Sequence, residues 1–237
     1  MKERKLGYLK TIYVLPFVAA ANLAAAEANQ TFDQQVRDAL LRNPSIILEV
    51  FALLEAEEAA DAVAADDDLI AEFGARLFEG APDDAPVLVE FFDYNCGYCK
   101  RGAGEVDKAA ADLDGLQVLH MQFPILGENS LELAKSMLGL RAVQGDDDYF
   151  RVHNELMADD GRIKATFDAY LAQSGFDVEA IRAVAQSEDV TVQLAETQQL
   201  ARALSISGTP AYVTRSRILR GYVEASTLTG AITGLSK

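Results

Sequence analysis

Basic residues, cysteine and tryptophan are scarce in this chain of 237 residues. Lys and Arg number 21 against 37 Asp and Glu, which gives a formal charge of −16, and tryptophan is absent. A protein that binds the nucleic-acid backbone needs clustered positive charge, so the composition predicts no nucleic-acid partner and disfavours anionic membrane surfaces. The hydrophobic fraction of 50% is nevertheless enough to build a substantial core.

Cysteine occurs only twice, at Cys96 and Cys99. Two cysteines cannot form the dense disulfide network of a small secreted scaffold. A closed four-ligand zinc site would need both of them and further donors, so no metal site is predicted. Whatever chemistry these residues perform, we expect them to perform it as a pair.

The first 26 residues have the layout of a secretion signal. Four of the first ten residues are basic, namely Lys2, Arg4, Lys5 and Lys10. An apolar run follows from residue 11 and closes on three alanines at Ala26. An uncleaved membrane anchor is the competing interpretation, but the run contains Pro16 and is shorter than the ~20 residues that span a bilayer. We expect cleavage after Ala26 and export from the cytoplasm.

Residues 27–80 are predicted to form a helical extension. Apolar residues recur at helical spacing in three segments, which begin near Phe32, after Asn43-Pro44 and at 66–68. Short helices are marginal when they stand alone, so these should pack on the main domain or on copies of themselves. The extension is therefore a candidate oligomerisation stalk, which makes a homo-oligomer one predicted partner state.

Residues 87–237 are predicted to form one α/β domain that opens with a β-α-β unit. A continuous apolar run at 87–92 indicates a strand that is covered on both faces. A helix follows from Cys96 to about Leu113, and a second strand spans 116–123.

The rest of this domain should consist of a helical block and a β-β-α unit. The helical block covers about 128–204, and its predicted breaks are at Gly145, Gly161 and Gly175. Two short strands at 211–214 and 217–220 then precede a helix from about Ala225.

Cys96-Gly97-Tyr98-Cys99 lies where a predicted strand ends and a helix begins. Unpaired N–H groups and the positive end of the helix dipole favour a thiolate there, so Cys96 is the predicted nucleophile. Cys99, one turn further on and set deeper, should resolve the mixed disulfide. A static disulfide is the alternative, although so short a loop would contribute little stability.

Other polar and charged residues lie near this motif. Glu90 lies inside the apolar strand, where an acid is costly. It is either a general base for Cys99 or an acid that a lysine or water satisfies. Asp93 is predicted to be a turn or cap residue. Lys100 and Arg101 are predicted to be solvated helix residues.

Two histidines, His120 and His153, lack the spacing of metal ligands. The first is predicted to be a strand or core residue and the second a helix-surface residue. Two thiolates alone can hold Cu(I), so a copper-binding module remains the alternative function.

This chain resembles the DsbA-like thiol:disulfide oxidoreductases in three separated segments, namely FFDYNCGYCKR at 91–101, FPILG at 123–127 and SGTPA at 207–211. The likeness is greatest to the ScsC-type branch of exported bacterial proteins. Residues 36–44 of this chain also resemble the N-terminal extension of the family. The resemblance implies a thioredoxin fold, β-α-β then β-β-α, with an all-helical insertion. It further implies an enzyme that exchanges disulfides with exported proteins and with a membrane redox partner, and that uses no cofactor beyond its Cys96–Cys99 disulfide.

The same resemblance implies roles for further residues. The Thr209–Pro210 bond should be cis, with the Thr209 backbone facing Cys96 and pairing with the substrate chain. Pro210, Gly97 and Tyr98 complete the implied substrate contacts, and Glu90 matches the family's buried acid. Because Gly97-Tyr98 replaces the proline-histidine dipeptide of the strongly oxidising DsbA, the direction of electron flow, as oxidase or isomerase, stays open.

Overall fold

The structure is a computed structural model that describes residues 32–161, 163 and 166–234. The segment interpreted as a secretion signal, 1–26, lies outside the described residues, as do 27–31. The chain divides after Asp61 into two compact units. Among the described residues, no helix combines the length and the apolar character that crossing a membrane requires.

Two helices precede the first strand: α1 over residues 32–42 and α2 over Ser45–Leu77. The break at Asn43-Pro44 agrees with the prediction. The predicted separate helix at 66–68 is wrong, because α2 runs without interruption for 33 residues. Residues 55–68 contain neither glycine nor proline and are rich in alanine and glutamate, which are strong helix formers, so nothing local ends the helix there.

A four-stranded sheet forms the centre of the second unit. Its strands are β1 (Val87–Phe92), β2 (Gln117–Gln122), β3 (Ala211–Val213) and β4 (Ile218–Arg220). Their spatial order is β2-β1-β3-β4, with β1 and β2 parallel and the other pairs antiparallel. Helix α3 (Gly97–Asp112) connects β1 to β2, so the predicted β-α-β unit is present.

All six residues of β1 are buried, as the continuous apolar run predicted. The register places Glu90 of β1 beside His120 of β2 and beside Tyr212 of β3. Three polar side chains from separate strands thus meet at the centre of the sheet.

A helical insertion separates β2 from β3. Its helices are α4 (Glu128–Gln144), α5 (Asp146–Ala158), α6 (Phe167–Gln173), α7 (Val178–Ala185) and α8 (Glu188–Ala203). Gly145 and Gly175 lie at breaks with φ of 89° and 84°, values that favour glycine. A further break, before α8, was not predicted; there the Ser187 Oγ accepts a hydrogen bond from Val190 N. Helix α9 (Ala225–Thr233) follows β4.

Apolar side chains cover both faces of the sheet. On one face, Ile70 and Leu77 from the end of α2 join Phe91 and Leu204 in one buried cluster. On the other face, residues of α3 and α9 pack on Leu88 and Tyr212. The α/β class with a helical insertion is therefore confirmed, and the sheet is sandwiched as its apolar central strand requires.

Candidate active site

Cys96 occupies the N-cap position of α3, with φ of −80° and ψ of 112°. Its Sγ accepts a hydrogen bond from Cys99 N at 3.3 Å and donates one to Thr209 O at 3.3 Å. The residue is 5% exposed. The Cys99 N–H, in the first turn of α3, therefore points towards this sulfur.

Asp93 holds the loop that precedes Cys96. Its Oδ1 accepts a hydrogen bond from Asn95 N at 2.8 Å, and its Oδ2 accepts from Ile125 N at 2.9 Å and from Leu126 N at 3.0 Å. The first bond is the turn that the sequence predicted. The other two join this loop to the segment after β2, and that role was not predicted because the partners lie more than thirty residues along the chain.

Cys99 is fully buried one turn below Cys96. Burial raises the pKa of its thiol well above the usual value, and hydrogen bonds from the Asp93 backbone and the Thr209 side chain only partly offset this. Cys99 therefore keeps its proton until a base removes it.

Thr209 and Pro210 lie opposite the cysteines. The peptide bond between them is cis, and the Thr209 carbonyl faces Cys96 Sγ. At the opening of the site, Gly97 is exposed and the Tyr98 side chain is 58% exposed, with the Arg101 guanidinium 4.1 Å from the centre of its ring. The structure thus brings together Thr209, the cysteines and the residues predicted to contact substrate.

Lys100 is not the solvated residue that the sequence predicted. Its Nζ donates hydrogen bonds to Leu156 O and to Asp159 O, both at 2.6 Å. These carbonyls belong to the C-terminal end of α5, where a cation is favoured by the helix dipole. Lys100 therefore ties the helix that bears the cysteines to the insertion.

Glu90 is 1% exposed, and its carboxylate lies in the centre of the sheet. Its Oε2 is 3.7 Å from His120 Nε2, and among the described residues its Oε1 has no hydrogen-bond partner. Burial, reinforced by the charge of Asp107, raises the pKa of this carboxyl to about 8. The nearest basic partner is a histidine, not the lysine that one interpretation anticipated.

His120 and His153 are neighbours, with ring centroids 4.4 Å apart. The prediction that His153 lies on a helix surface is wrong, since it is 3% exposed and Tyr94 OH is 3.0 Å from its Nδ1. The face of α5 that bears it packs against the ring of Phe92. Burial lowers the pKa of His120 to about 4 and that of His153 to about 3, so both rings are neutral at pH 7.

Gly102 and Tyr212 form a contact that the sequence did not reveal. Tyr212 is fully buried, and a Cβ at Gly102 would collide with its hydroxyl. Glycine is required at position 102 because the ring of Tyr212 passes under α3 beside Glu90.

The described part of the chain contains no group of three or more His, Cys, Asp or Glu residues placed to hold a metal ion. The chemistry that this arrangement offers is that of two thiols, one near the surface and one buried, with a buried carboxyl close to the sheet centre.

Comparison with known proteins identifies relatives of this chain. A family model described as DSBA-like thioredoxin domain matches residues 87–233. A thioredoxin-like oxidoreductase from Silicibacter pomeroyi DSS-3 is 32% identical and has a TM-score of 0.57, with 62% of this chain and 84% of that chain covered. A linker-deletion mutant of Proteus mirabilis ScsC is 26% identical, with a TM-score of 0.62 and coverage of 87% of this chain and 94% of that one.

Curated relatives are much longer than this chain. The Na(+)/H(+) antiporter NhaA 1 of Mycobacterium sp. strain KMS is 26% identical over 164 residues, which are 65% of this chain and 25% of the antiporter. The match thus spans a quarter of the length of that relative.

Proposed function

The chain belongs to the DSBA-like thioredoxin domain family, and from that membership we propose that it exchanges disulfides with exported proteins through Cys96 and Cys99. Family membership supports thiol:disulfide oxidoreductase activity as the reaction class. The choice of these two residues, of exported clients and of a periplasmic location is our proposal.

One observation carries the proposal. Cys96 Sγ lies at the N-cap of α3, within 3.3 Å of Cys99 N and of Thr209 O, and Cys99 lies buried beneath it. A sulfur in that position meets an incoming disulfide first, while the second sulfur is one helical turn away.

The proposed reaction has two thiol–disulfide exchanges. Cys96 first loses its proton to water, and the resulting thiolate attacks a client disulfide. The Cys96–client bond forms, and one client sulfur leaves as a thiolate that takes a proton from water. Cys99 then loses its proton and attacks Cys96 Sγ, which releases the second client sulfur. The client gains two electrons and the Cys96–Cys99 disulfide forms; the reverse sequence oxidises a client.

Client binding involves the Thr209 carbonyl in this proposal. In the free protein that carbonyl accepts a hydrogen bond from Cys96 Sγ. When Cys96 forms a mixed disulfide it no longer carries the proton, so the carbonyl becomes available to a client backbone N–H, as in strand addition. Pro210, Gly97 and the exposed Tyr98 ring surround the same position.

Two cysteine variants test the assignment. Cys96→Ser should abolish both insulin reduction and oxidation of a dithiol peptide. Cys99→Ser should instead accumulate a mixed disulfide that mass spectrometry detects, because attack occurs without resolution. Activity retained in Cys96→Ser would contradict the proposal.

The direction of electron flow is a separate part of the proposal. We infer an oxidase or isomerase, and equilibrium of the Cys96/Cys99 pair against glutathione buffers measures its reduction potential. A potential near that of thioredoxin would favour reduction, whereas one near that of DsbA would favour oxidation. A membrane redox partner would then return the pair to its working state.

Self-association through the extension is also proposed. Large apolar side chains of α1 and α2 are exposed in the single chain: Phe32, Leu41, Leu48, Phe51 and Leu53 are each more than half exposed. Exposed apolar surface on this scale is typical of an interface, and a second copy of the chain would cover it. Light scattering of the full chain should show an oligomer that the double variant Leu48→Asp/Phe51→Asp dissociates; a monomeric wild type would remove the idea.

Copper binding remains the alternative. It uses the same two thiols, and no residue beyond them in the described structure adds to it. A competition titration that showed sub-picomolar Cu(I) uptake together with a redox-inert pair would favour this function instead.

A further inference from the structure

A cleft of about 340 Å³ opens between α3 and α5. Its floor includes Glu90, His120 and His153, and its rim includes the exposed residues Asp107 and Asn154. A volume of this size has room for about ten water molecules. Solvent therefore approaches the buried acid from the side of the cysteine helix, within the second unit.

Exposure increases in steps along the floor of this cleft. The Glu90 side chain is 2% exposed, whereas the His120 side chain is 14% exposed. Their facing atoms, Oε2 and Nε2, are 3.7 Å apart, which a small side-chain movement would shorten to hydrogen-bond distance. Glu90 Oε1 and His120 Nδ1 have no hydrogen-bond partner among the described residues. The imidazole is therefore the more exposed of the two groups, although its Nδ1, like Glu90 Oε1, is buried.

His153 holds the ring of His120 in place. The two rings are 4.4 Å apart at an angle of 61°, and the hydrogen bond between His153 Nδ1 and Tyr94 OH orients the second ring. Phe92 packs edge-on against both rings. His120 is thus confined between an acid from β1 and an aromatic cluster that includes α5.

We propose that His120 carries protons between Glu90 and the solvent of this cleft, and that His153 positions it for this transfer. The inference rests on the proposed function, because it concerns the proton that Cys99 must lose before it attacks. Glu90 would take that proton as the buried base, and His120 would pass it to the cleft.

The resolving step moves one proton from Cys99 to solvent. Cys99 begins as a thiol and gives its proton to Glu90 in its ionised form, which is the minority form at pH 7. The Cys99 sulfur then bonds to Cys96 Sγ, and the client leaves as a thiolate. Glu90 then gives the proton to His120 Nε2, and the imidazole, which is the more exposed of the two groups, releases it to water in the cleft. One proton leaves for each disulfide formed, and reversal of the reaction returns it along the same path.

Charged and titratable groups from every neighbouring element surround this path. They are Lys100 and Asp107 on α3, Arg141 on α4, Tyr149 and His153 on α5, Tyr94 after β1, and Tyr212 on β3. Arg141 disfavours positive charge on His120. The ring is therefore suited to pass a proton and not to store one, while Asp107 at the rim favours release outward.

Rapid-quench kinetics with a mixed-disulfide client test the proposal, because they separate Cys96 attack from Cys99 resolution. In His120→Ala, we expect normal attack, resolution slowed on the order of tenfold to a hundredfold, and recovery on addition of imidazole, which replaces the missing ring. Val118→Ala is the matched control: Val118 lies two residues earlier on β2 and lines the same cleft, but has no group that titrates.

A double variant distinguishes proton transfer from structural support. If His120 acts through Glu90, Glu90→Gln/His120→Ala should resolve no more slowly than Glu90→Gln alone. Should His120→Ala fail to fold, His120→Gln fills the site without a proton that titrates near neutral pH, and the same comparison applies.

Each outcome has a distinct meaning. Unchanged resolution in the His120 variants, or slow resolution that imidazole does not restore and that adds to the Glu90→Gln effect, would overturn the proton path alone. Absence of Cys96-dependent attack in the wild-type chain would overturn the proposed function, and with it the inference that rests on it.

Discussion

Burial controls the protonation of the polar side chains at the centre of the sheet. Glu90, His120 and His153 all have pKa values shifted towards the neutral form, because a buried charge is costly in a poorly solvated interior. Burial raises the pKa of the acid and lowers the pKa values of the two histidines. The result is a neutral interior at pH 7 beside a pair of thiols whose chemistry requires proton movement.

Replacement of Glu90 by Gln should stabilise the protein as the pH rises. The pKa of Glu90 is about 8 in the folded protein against an ordinary value of 4.5, so folding retains a proton that the unfolded chain loses between these values. Its contribution to stability is full below pH 4.5 and is lost as the pH rises through 8. We expect Glu90→Gln to match the wild type near pH 4 and to exceed it by up to about 4 kcal/mol near pH 8.5.

Urea unfolding across this pH range measures the effect of Glu90→Gln. The exposed acid Glu196 provides a control, since Glu196→Gln should leave the pH dependence of stability unchanged. A stability difference between wild type and Glu90→Gln that stays constant with pH would contradict a raised pKa at Glu90.

Gly102 and Gly104 should respond in opposite ways to alanine. At Gly102 the added methyl would meet the hydroxyl of buried Tyr212, so Gly102→Ala should cost about 1–3 kcal/mol in unfolding free energy. At Gly104 no atom lies within 4 Å of the new Cβ, so Gly104→Ala should stabilise α3 by about 0.5–1 kcal/mol. Thermal unfolding of the two variants checks the contrast, and equal effects would rule out the Tyr212 contact as its cause.

Contacts between elements position the cysteine helix. Lys100 of α3 binds the carboxyl end of α5, and Asp93 joins the loop after β1 to the segment after β2. Each contact links parts of the chain that are distant in sequence. The N-terminus of α3 is therefore held both by the sheet and by the insertion.

Removal of the Asp93 carboxylate should loosen both segments that it joins. Asp93→Ala leaves three backbone N–H groups without their acceptor, and two of these belong to Ile125 and Leu126. Because hydrogen bonds to a charged group are worth about 1.5–3 kcal/mol each and act together here, we expect a loss of about 3 kcal/mol or more. Amide hydrogen exchange should accelerate at Ile125 and Leu126.

Asp177 is the matched control for Asp93. It caps α7 through a single bond from Ala180 N and is exposed, so Asp177→Ala should cost only about 1 kcal/mol. If Asp93→Ala cost no more than this control, the joining role of Asp93 would be refuted.

The whole molecule carries a net charge of −16, which should influence which clients it meets. Under the proposed function, exchange with an acidic peptide should accelerate severalfold between low and high salt, because salt screens the repulsion between them. Exchange with a basic peptide should slow over the same range of salt concentration. A neutral peptide of equal length is the control. Stopped-flow measurement of the attack rate tests this, and salt-independent rates for all three peptides would contradict it.

Local sequence patterns determined much of the architecture. The apolar run of β1, the helical periodicity of the insertion and the Cys96–Cys99 spacing at a strand–helix junction each depend on residues close together in the chain. The fold class and the family resemblance that followed from them are confirmed by the sheet order and by the family match. The uninterrupted α2 was missed because an acidic, alanine-rich stretch was interpreted as a boundary although nothing in it breaks a helix.

Only the tertiary structure decided which distant residues meet. His153 was interpreted as a surface residue, since nothing in the local pattern of α5 shows that His120 and Tyr94 cover it. The partners of Asp93, Lys100 and Gly102 were hidden for the same reason. Local periodicity reports which face of an element is apolar, whereas the pairing of two faces depends on how the elements pack, and that packing brings the acid, the histidines and the cysteine helix together.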